Sequence, residues 1–478
     1  MKMIINGKQV DASNGEVIEV LNPATGKVVD TVPAATEEDV AQAVRIAVQA
    51  QKAWNEVPVY ERGEILMRFV GLVEENKEEL ARLLSNETGK TISEARGEIA
   101  NIFISFPAFI EKAKHIYGEV IQNGREKNQE KHVLITVREP IGVFACIIPF
   151  NFPCDLFDQK VAPTLMAGNA AIVKPSTDNP LTLCRLCELM VQAGVTDGAI
   201  QILTGRGSKV GAWLSSNPDV HGITFTGSTE VGIETYKNAA GHLAHIALEL
   251  GGNDAFIVCD DGDVELAVEE VIWGRMYNTG QVCCASKRFI VHNSLKDEFT
   301  EKVVARIKQI KAGDPADDAT EIGCLISEKA AITVEEQVGL TVEQGGRIVL
   351  GGKRNGAFYE PTVIADVPKT ADVAKDMEIF GPVVPVIGFD TVEEAIEIAN
   401  ASIFGLCGCV FSRDITRAWN VARKLECGGV VINGASFFRS FEMPFGGYKH
   451  SGIGTEGVLS TFDEVTRTKT IVLKNIIE

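Results

Sequence analysis

The sequence predicts an α/β protein built on doubly wound parallel sheets. Two observations carry the prediction: apolar runs that stop at a proline or a glycine turn recur along the chain, each followed by a helical pattern, and the alternation starts afresh past the middle. A third bounds it, since 478 residues exceed what one hydrophobic core usually supports and two or three domains are expected.

In chain order, Thr36-Glu37-Glu38-Asp39 opens a run in which Val40, Ala43, Val44, Ala47, Val48 and Ala50 recur at helical spacing, with Thr36 placed to cap it. Helical segments are expected to dominate to about residue 117. Gly142 to Ile148 is a near-continuous apolar run ending at Pro149, and Ala170-Ala171-Ile172-Val173-Lys174 ends the same way at Pro175, as buried parallel strands do. Gln201-Ile202-Leu203 and Gly222-Ile223-Thr224-Phe225 continue the series. The second alternating stretch runs from Ala255-Phe256-Ile257-Val258 to about Gly446, with a helix at Val392 to Asn400 and a strand at Gly429 to Ile432. Val465 to Leu473 alternates like an exposed strand, which leaves an unpaired edge unless another element or subunit covers it. No internal repeat, low-complexity tract or disordered linker is visible.

Composition narrows the function. A hydrophobic share of 45% with 23% charged residues is that of an ordinary soluble globular protein. A net charge of −19 argues against a nucleic-acid partner, which calls for a basic face, but leaves room for a small anionic substrate held by local cations. The polar opening Met1-Lys2-Met3-Ile4-Ile5-Asn6-Gly7-Lys8 is unlike a signal peptide, and the longest apolar run, Ile141 to Phe152, is too short to span a membrane. Eleven scattered cysteines suit a reducing cytoplasm. Cys283-Cys284, Cys184/Cys187 and Cys407/Cys409 lack a matching second pair or nearby histidines, so no metal site is expected.

The chemistry concentrates in two phrases, Leu248-Glu249-Leu250-Gly251-Gly252 and, downstream, Asn278-Thr279-Gly280-Gln281-Val282-Cys283-Cys284-Ala285. A thiol and a carboxylate, each beside small residues, are the groups needed to make a thioester and hydrolyse it. A cysteine taken alone reads more readily as a small buried hydrophobe. Here the small neighbours keep a thiol reachable, and Lys287 and Arg288 could favour its thiolate. Cys284 shares those neighbours and competes with Cys283. The apolar flanks of Glu249 suggest partial desolvation, which raises a carboxyl toward the range of a general base.

These two phrases, with Ile148-Pro149-Phe150-Asn151-Phe152-Pro153, Lys174-Pro175-Ser176, Phe225-Thr226-Gly227-Ser228-Thr229, Glu378-Ile379-Phe380-Gly381-Pro382 and Pro444-Phe445-Gly446-Gly447, resemble the signatures of the aldehyde dehydrogenase superfamily, in family order. The resemblance runs nearly end to end. It implies a Rossmann-type cofactor domain over 1–118 and 142–248, a catalytic domain over 249–446, and a small β oligomerisation arm over 119–141 and 447–478. The arm would pair a hairpin around Glu119 to Glu139 with the C-terminal strand, in a homodimer or homotetramer. The activity implied is oxidation of an aldehyde to the acid with reduction of NAD or NADP. Cys283 would be the nucleophile, the Asn151 amide and the Cys283 backbone N–H the oxyanion donors, and Glu249 the base for hydrolysis.

No G-x-G-x-x-G follows a predicted strand. The strand, Gly227-Ser228 turn and helix can bind a pyrophosphate, although the same residues read equally as a helix cap. The resemblance places the cofactor against Ile148, Pro149, Phe150, Asn151, Lys174, Ser176, Thr177, Gly207, Phe225, Gly227, Ser228, Val231 and Leu250, with Glu378 and Phe380 on the nicotinamide ribose. Many NAD-preferring relatives carry a glutamate where Thr177 stands, so NADP is expected to be accepted. Relatives most often have Trp in place of Phe150. In the segment Asn433 to Pro444, where the family lines its aldehyde tunnel, Arg439 looks like the cation of relatives acting on lactaldehyde, succinate semialdehyde, glyceraldehyde phosphate or phosphonoacetaldehyde. Phe438 and Asn151 complete the expected substrate contacts. Two alternatives are a CoA-acylating semialdehyde dehydrogenase and a catalytically silent homologue acting as a binding protein.

Overall fold

The computed structural model describes residues 1–121 and 126–477. Two short antiparallel pairs open the chain: strands β1 (Met3–Ile5) and β2 (Lys8–Val10), then β3 (Val17–Leu21) with β4 (Val28–Pro33). The helical stretch expected from Thr36 onward follows these strands, which the sequence did not announce. Strands of three to six residues are too brief to show a period in a single sequence. Helices α1 (Glu37–Glu56), α2 (Val59–Glu75), α3 (Lys77–Thr88) and α4 (Ile92–Ala113) follow. Thr36 caps α1 in a reciprocal capping box with Asp39, which satisfies two N–H groups that the helix itself cannot.

Next come β5 (Val120–Ile121), β6 (Val133–Pro140), β7 (Val143–Ile147), α5 (Pro153–Met166), β8 (Ala170–Lys174), α6 (Leu181–Ala193), β9 (Ile200–Ile202), the single turn α7 (Ala212–Ser215), β10 (Gly222–Thr226), α8 (Thr229–Ala240) and β11 (His245–Glu249). Strands β9, β8, β7, β10 and β11 lie side by side and parallel in an eight-stranded sheet. Every residue of β7, β8 and β10 is buried, because helices cover both faces. The chain moves from β7 outward to β8 and β9, then returns to the other side of β7 for β10, so the carboxyl ends of β7 and β10 open a crevice of the kind that binds ligands in such sheets.

A second, seven-stranded sheet centres on β12 (Asp254–Val258) and β13 (Ser286–His292), flanked by Val383–Phe389 on one side and by Cys407–Phe411 and Gly429–Ile432 on the other. The expected helix and strand at Val392–Asn400 and Gly429–Ile432 have those bounds.

A three-stranded sheet joins Thr466–Leu473 to β6, in an eight-residue register from Thr466↔Pro140 to Leu473↔Val133, and β6 to β5. Residues 122–125 of the expected hairpin lie outside the described residues. The segment 447–465, grouped by the sequence with the C-terminal strand, does not itself pair with β6. Tyr448–Lys449 pairs with Phe404–Gly405, Gly452–Ile453 pairs with β11, and the helix Thr461–Val465 buries Phe462 beside Phe109. Residues 447–465 thus tie the two large sheets together, and only the strand from Thr466 reaches β6. No helix among the described residues is long and apolar enough to cross a membrane.

Candidate active site

The loop before Cys283 takes a conformation rare for non-glycine residues. Asn278 and Thr279 have φ of 49° and 55°, followed by Gly280 at 76°. A Cβ at Gly280 would stand 2.3 Å from the Gly381 carbonyl oxygen, so close approach as well as φ selects glycine. The bends are held both from within the loop and from outside it. The Asn278 N–H donates to Glu94 at 2.7 Å, Gln281 Nε2 donates to the Asn278 carbonyl at 3.0 Å, and Gln281 Oε1 accepts from the Ile326 N–H at 2.9 Å.

Cys283 emerges from this loop half-buried, while its rival Cys284 is 5% exposed in the core. The hydrogen bond with the Cys284 thiol, and then burial, push the Cys283 thiol well above its usual range, and the Lys287 ammonium opposes them. Two cations do not therefore yield a resting thiolate, as the sequence suggested they could. Arg288 is spent on the carbonyls of Asn253, Ala374, Ile398 and Ala399. Lys287 donates to the Cys283 carbonyl and pairs with Glu378 at 3.1 Å.

Asn151 follows β7 and is buried, its Nδ2 donating to the Gln281 carbonyl at 3.1 Å, which ties the amide to the nucleophile loop. Its own carbonyl accepts from Lys90 Nζ at 3.0 Å and Asn278 Nδ2 at 3.0 Å. Lys90 in turn pairs with Glu98, whose other oxygen accepts from the Cys154 N–H at 2.8 Å. Local sequence gave no sign of this buried pair, because Lys90 lies in the short connection between α3 and α4 and Glu98 inside α4, with nothing in either phrase to join them.

Glu249 ends β11, 4% exposed, with both carboxylate oxygens buried and without a hydrogen-bond partner. Burial first, then the neighbouring Glu456 carboxylate, hold its pKa well above the ordinary carboxylate range, while Lys160 and Arg439 pull it down. Lys160 and Glu456 form a buried pair, with Lys160 also donating to Thr224 Oγ1 at 3.1 Å. That pair spans 296 residues of sequence and was not legible there.

Arg439 lies over the Phe445 ring at 3.8 Å, and its Nη1 is buried without a partner. Phe437 packs against Phe152, Tyr277 and Trp273, with centroids 6.4, 5.1 and 4.8 Å away, and shares a cluster with Cys283. Phe438, the expected contact, is 53% exposed, while its neighbour Phe437 packs inward. Two adjacent aromatics in a loop cannot be told apart without the backbone.

At the crevice, Lys174 is buried with one acceptor, the Pro175 carbonyl at 2.6 Å, and burial lowers its pKa to about 8. A Cβ at Gly207 would come within 3.7 Å of its ammonium. The half-buried Ser176 follows, and the Thr177 hydroxyl donates to the Gly205 carbonyl at 3.2 Å, so as placed its donor is used internally. Ser228 caps α8, accepting from the Val231 N–H at 3.5 Å, and the buried Thr226 Oγ1 has no partner. Ile148, Phe225 and Leu250 are core side chains, Pro149 and Phe150 are half-buried, and Val231 is 49% exposed on the first turn of α8. A Cβ at Gly227 would meet the Phe225 ring at 2.6 Å, which keeps the backbone of this turn bare. Glu378 Oε1 also accepts from the Gly252 N–H at 3.3 Å, and Phe380 meets Phe150 edge-on at 6.0 Å. A buried under-coordinated ammonium, an orphaned hydroxyl, a capped helix N-terminus and a partly exposed carboxylate along one crevice fit a dinucleotide.

The comparisons agree. The family model described as "Aldehyde dehydrogenase family" matches residues 10–471, and the chain belongs to that family of oxidoreductases. It is 40% identical over 454 residues to a glutarate-semialdehyde dehydrogenase of Pseudomonas putida, covering 95% of this chain and 93% of that one. It is 39% identical over 457 residues to an NADP(+) succinate-semialdehyde dehydrogenase of Escherichia coli, covering 95% and 94%. A 3-sulfolactaldehyde dehydrogenase of Priestia aryabhattai is 39% identical over 471 residues, covering 98% and 97%. A crystal structure of betaine aldehyde dehydrogenase from Staphylococcus aureus in complex with NAD+ superposes with a TM-score of 0.95 at 37% identity, covering 99% of this chain and 95% of that one.

Proposed function

We propose that the protein oxidises a small anionic or hydroxylated aldehyde to its carboxylic acid with NAD or NADP as the acceptor. The observation that carries this reading is the convergence of a half-buried thiol on a strained loop, a buried carboxylate with two unpartnered oxygens and a guanidinium with a buried unpartnered nitrogen. The Cys283 sulfur attacks the carbonyl carbon, the C=O π pair moves onto oxygen, and the thiol proton passes to water. The Asn151 amide and the Cys283 N–H stabilise the oxyanion of the thiohemiacetal, and losing one such donor costs roughly a hundredfold in rate. When bound, the dinucleotide supplies the hydride acceptor that turns the thiohemiacetal into a thioester. Glu249 takes a proton from the water that hydrolyses the thioester, a task its raised pKa suits. Lys160 and Glu456, beside Glu249, adjust its charge. Arg439 holds the anionic end of the substrate.

Lys174, Ser176, Thr177, Gly207, Gly227, Ser228 and Val231 would hold the adenosine diphosphate part, and Glu378 and Phe380 the nicotinamide ribose. No carboxylate stands at Thr177 to repel a 2′-phosphate, which supports acceptance of NADP. The eight-stranded sheet serves as the cofactor domain, the seven-stranded sheet as the catalytic domain, and the three-stranded sheet as an arm for a homodimer or homotetramer. Eleven free thiols suit the cytoplasm.

A screen of about a dozen neutral and anionic aldehydes with each cofactor, with and without CoA, tests the reading by absorbance of the reduced cofactor. Turnover without CoA, fastest for an anionic aldehyde, is the expected result. Dependence on CoA would replace hydrolysis with acyl transfer, and no turnover with any aldehyde would leave the binding-protein reading.

A further inference from the structure

Asp155 has no part in the mechanism above. It stands in the first turn of α5, four residues after Asn151, half-buried in a protein whose other buried acids are paired or enclosed. Its Oδ1 accepts from Asn101 Nδ2 at 3.0 Å, while Oδ2 accepts no hydrogen bond among the described residues and is not enclosed. Burial and then the Glu98 carboxylate raise its pKa to about 7, against the Asn101 hydrogen bond and the Lys90 and Arg439 cations, so Arg439 acts on Asp155 as well as on Glu249. The phenol of Tyr277, which stacks 6.1 Å from Phe152, feels the same carboxylate. Arg439 and Asp155 are within electrostatic reach of each other yet form no ion pair, for Arg439 Nη1 is left bare. Asp155, Asn101, Tyr277, Phe152, Phe437 and Arg439 are each only partly covered.

We propose that Asp155 is a specificity-determining residue that selects anionic aldehydes bearing a hydroxyl group, with the anion on Arg439 and the hydroxyl donating to Asp155 Oδ2. The inference rests on the anionic-aldehyde reading of Arg439 and narrows it. Ionised when the pH is above its raised pKa of about 7, this carboxylate near the anion-binding site disfavours a substrate that offers only charge and methylene groups, since it meets repulsion without a compensating hydrogen bond. A substrate hydroxyl turns the same carboxylate into an acceptor. Sites built to receive a substrate hydroxyl discriminate strongly against analogues that lack it, because the site's own polar group is then left unpaired.

The matched probes are succinate semialdehyde and its 3-hydroxy derivative, equal in length and charge and different by one hydroxyl. The wild-type protein should favour the hydroxylated probe by about tenfold or more in kcat/KM, the scale of one hydrogen bond to a charged group. Asp155→Leu should bring the ratio near one, mainly through a gain on succinate semialdehyde. Asp155→Asn, which keeps shape and an acceptor but not the charge, should fall between, and it carries the test alone if the Leu variant does not fold. Arg439→Ala should weaken both probes alike. A wild-type ratio of one or below, or a ratio that neither variant changes, would overturn the role of Asp155. Unchanged kinetics for both probes in Arg439→Ala would overturn the anionic-aldehyde reading, and the inference with it.

Discussion

At the scale of single residues, the division of labour between two adjacent thiols is the sharpest claim. Cys284 is 5% exposed and packed in the core, whereas Cys283 is half-buried at the tip of the loop that Glu94 and Gln281 hold bent. Cys283→Ser should abolish cofactor reduction while Cys284→Ser retains most of it, measured as kcat under saturating substrate; equal losses would remove the assignment. Glu249 makes a separable prediction with a sign. Its carboxyl is raised, so the base form is present only above that elevated pKa and hydrolysis of the thioester is lost as pH falls through it. Steady-state turnover should therefore rise along an acid limb displaced above the ordinary carboxylate range. Glu249→Gln should erase that limb yet still give a burst of reduced cofactor, and rapid mixing with no burst would mean that Glu249 activates the thiol instead. Much of this was legible: short phrases around Cys283, Glu249 and Asn151 carry the chemistry in consecutive residues. What escaped was carried by distance, as with Lys160 and Glu456, 296 positions apart, or Lys90 and Asn151, 61 apart. No local pattern announces such a pair, because the low dielectric that makes it matter exists only after folding.

At the scale of elements, the parallel strands were the most legible parts. Ala170–Lys174 and Val143–Ile147 are buried on both faces and so read as unbroken apolar runs. The helix of Thr36 was legible through its cap, and Ser228 fulfils the cap reading while facing the crevice. The first four strands were not legible, being only three to six residues long, and neither was the route of residues 447–465, whose pairing with β11 and Phe404–Gly405 is set by tertiary packing. The loop after β8 yields a prediction. Thr177 lies three residues past the buried ammonium of Lys174, so Thr177→Glu should lower kcat/KM for NADP relative to NAD by roughly tenfold or more, through repulsion of the 2′-phosphate. An unchanged cofactor ratio would remove Thr177 from the ribose site.

At the scale of the molecule, the three-stranded sheet stands apart from the two large cores and carries the exposed apolar side chains of Val120, Ile121, Ile471, Val472 and Leu473. An apolar strand edge of this kind calls for a partner. Val472→Asp combined with Leu473→Asp should lower the oligomeric state seen by light scattering after size exclusion, with little effect on the folded core; an unchanged mass would mean that this sheet makes no subunit contact. The central claim, that the two large sheets bring Cys283 and Glu249 together to form and then hydrolyse a thioester, has a direct test. Glu249→Gln, mixed with an anionic aldehyde and oxidised cofactor, quenched in acid and digested, should show the acyl mass on Cys283 by peptide mass spectrometry. The wild-type protein under steady turnover should show far less. An acyl group on Cys284, or none on either cysteine while reduced cofactor accumulates, would contradict the account.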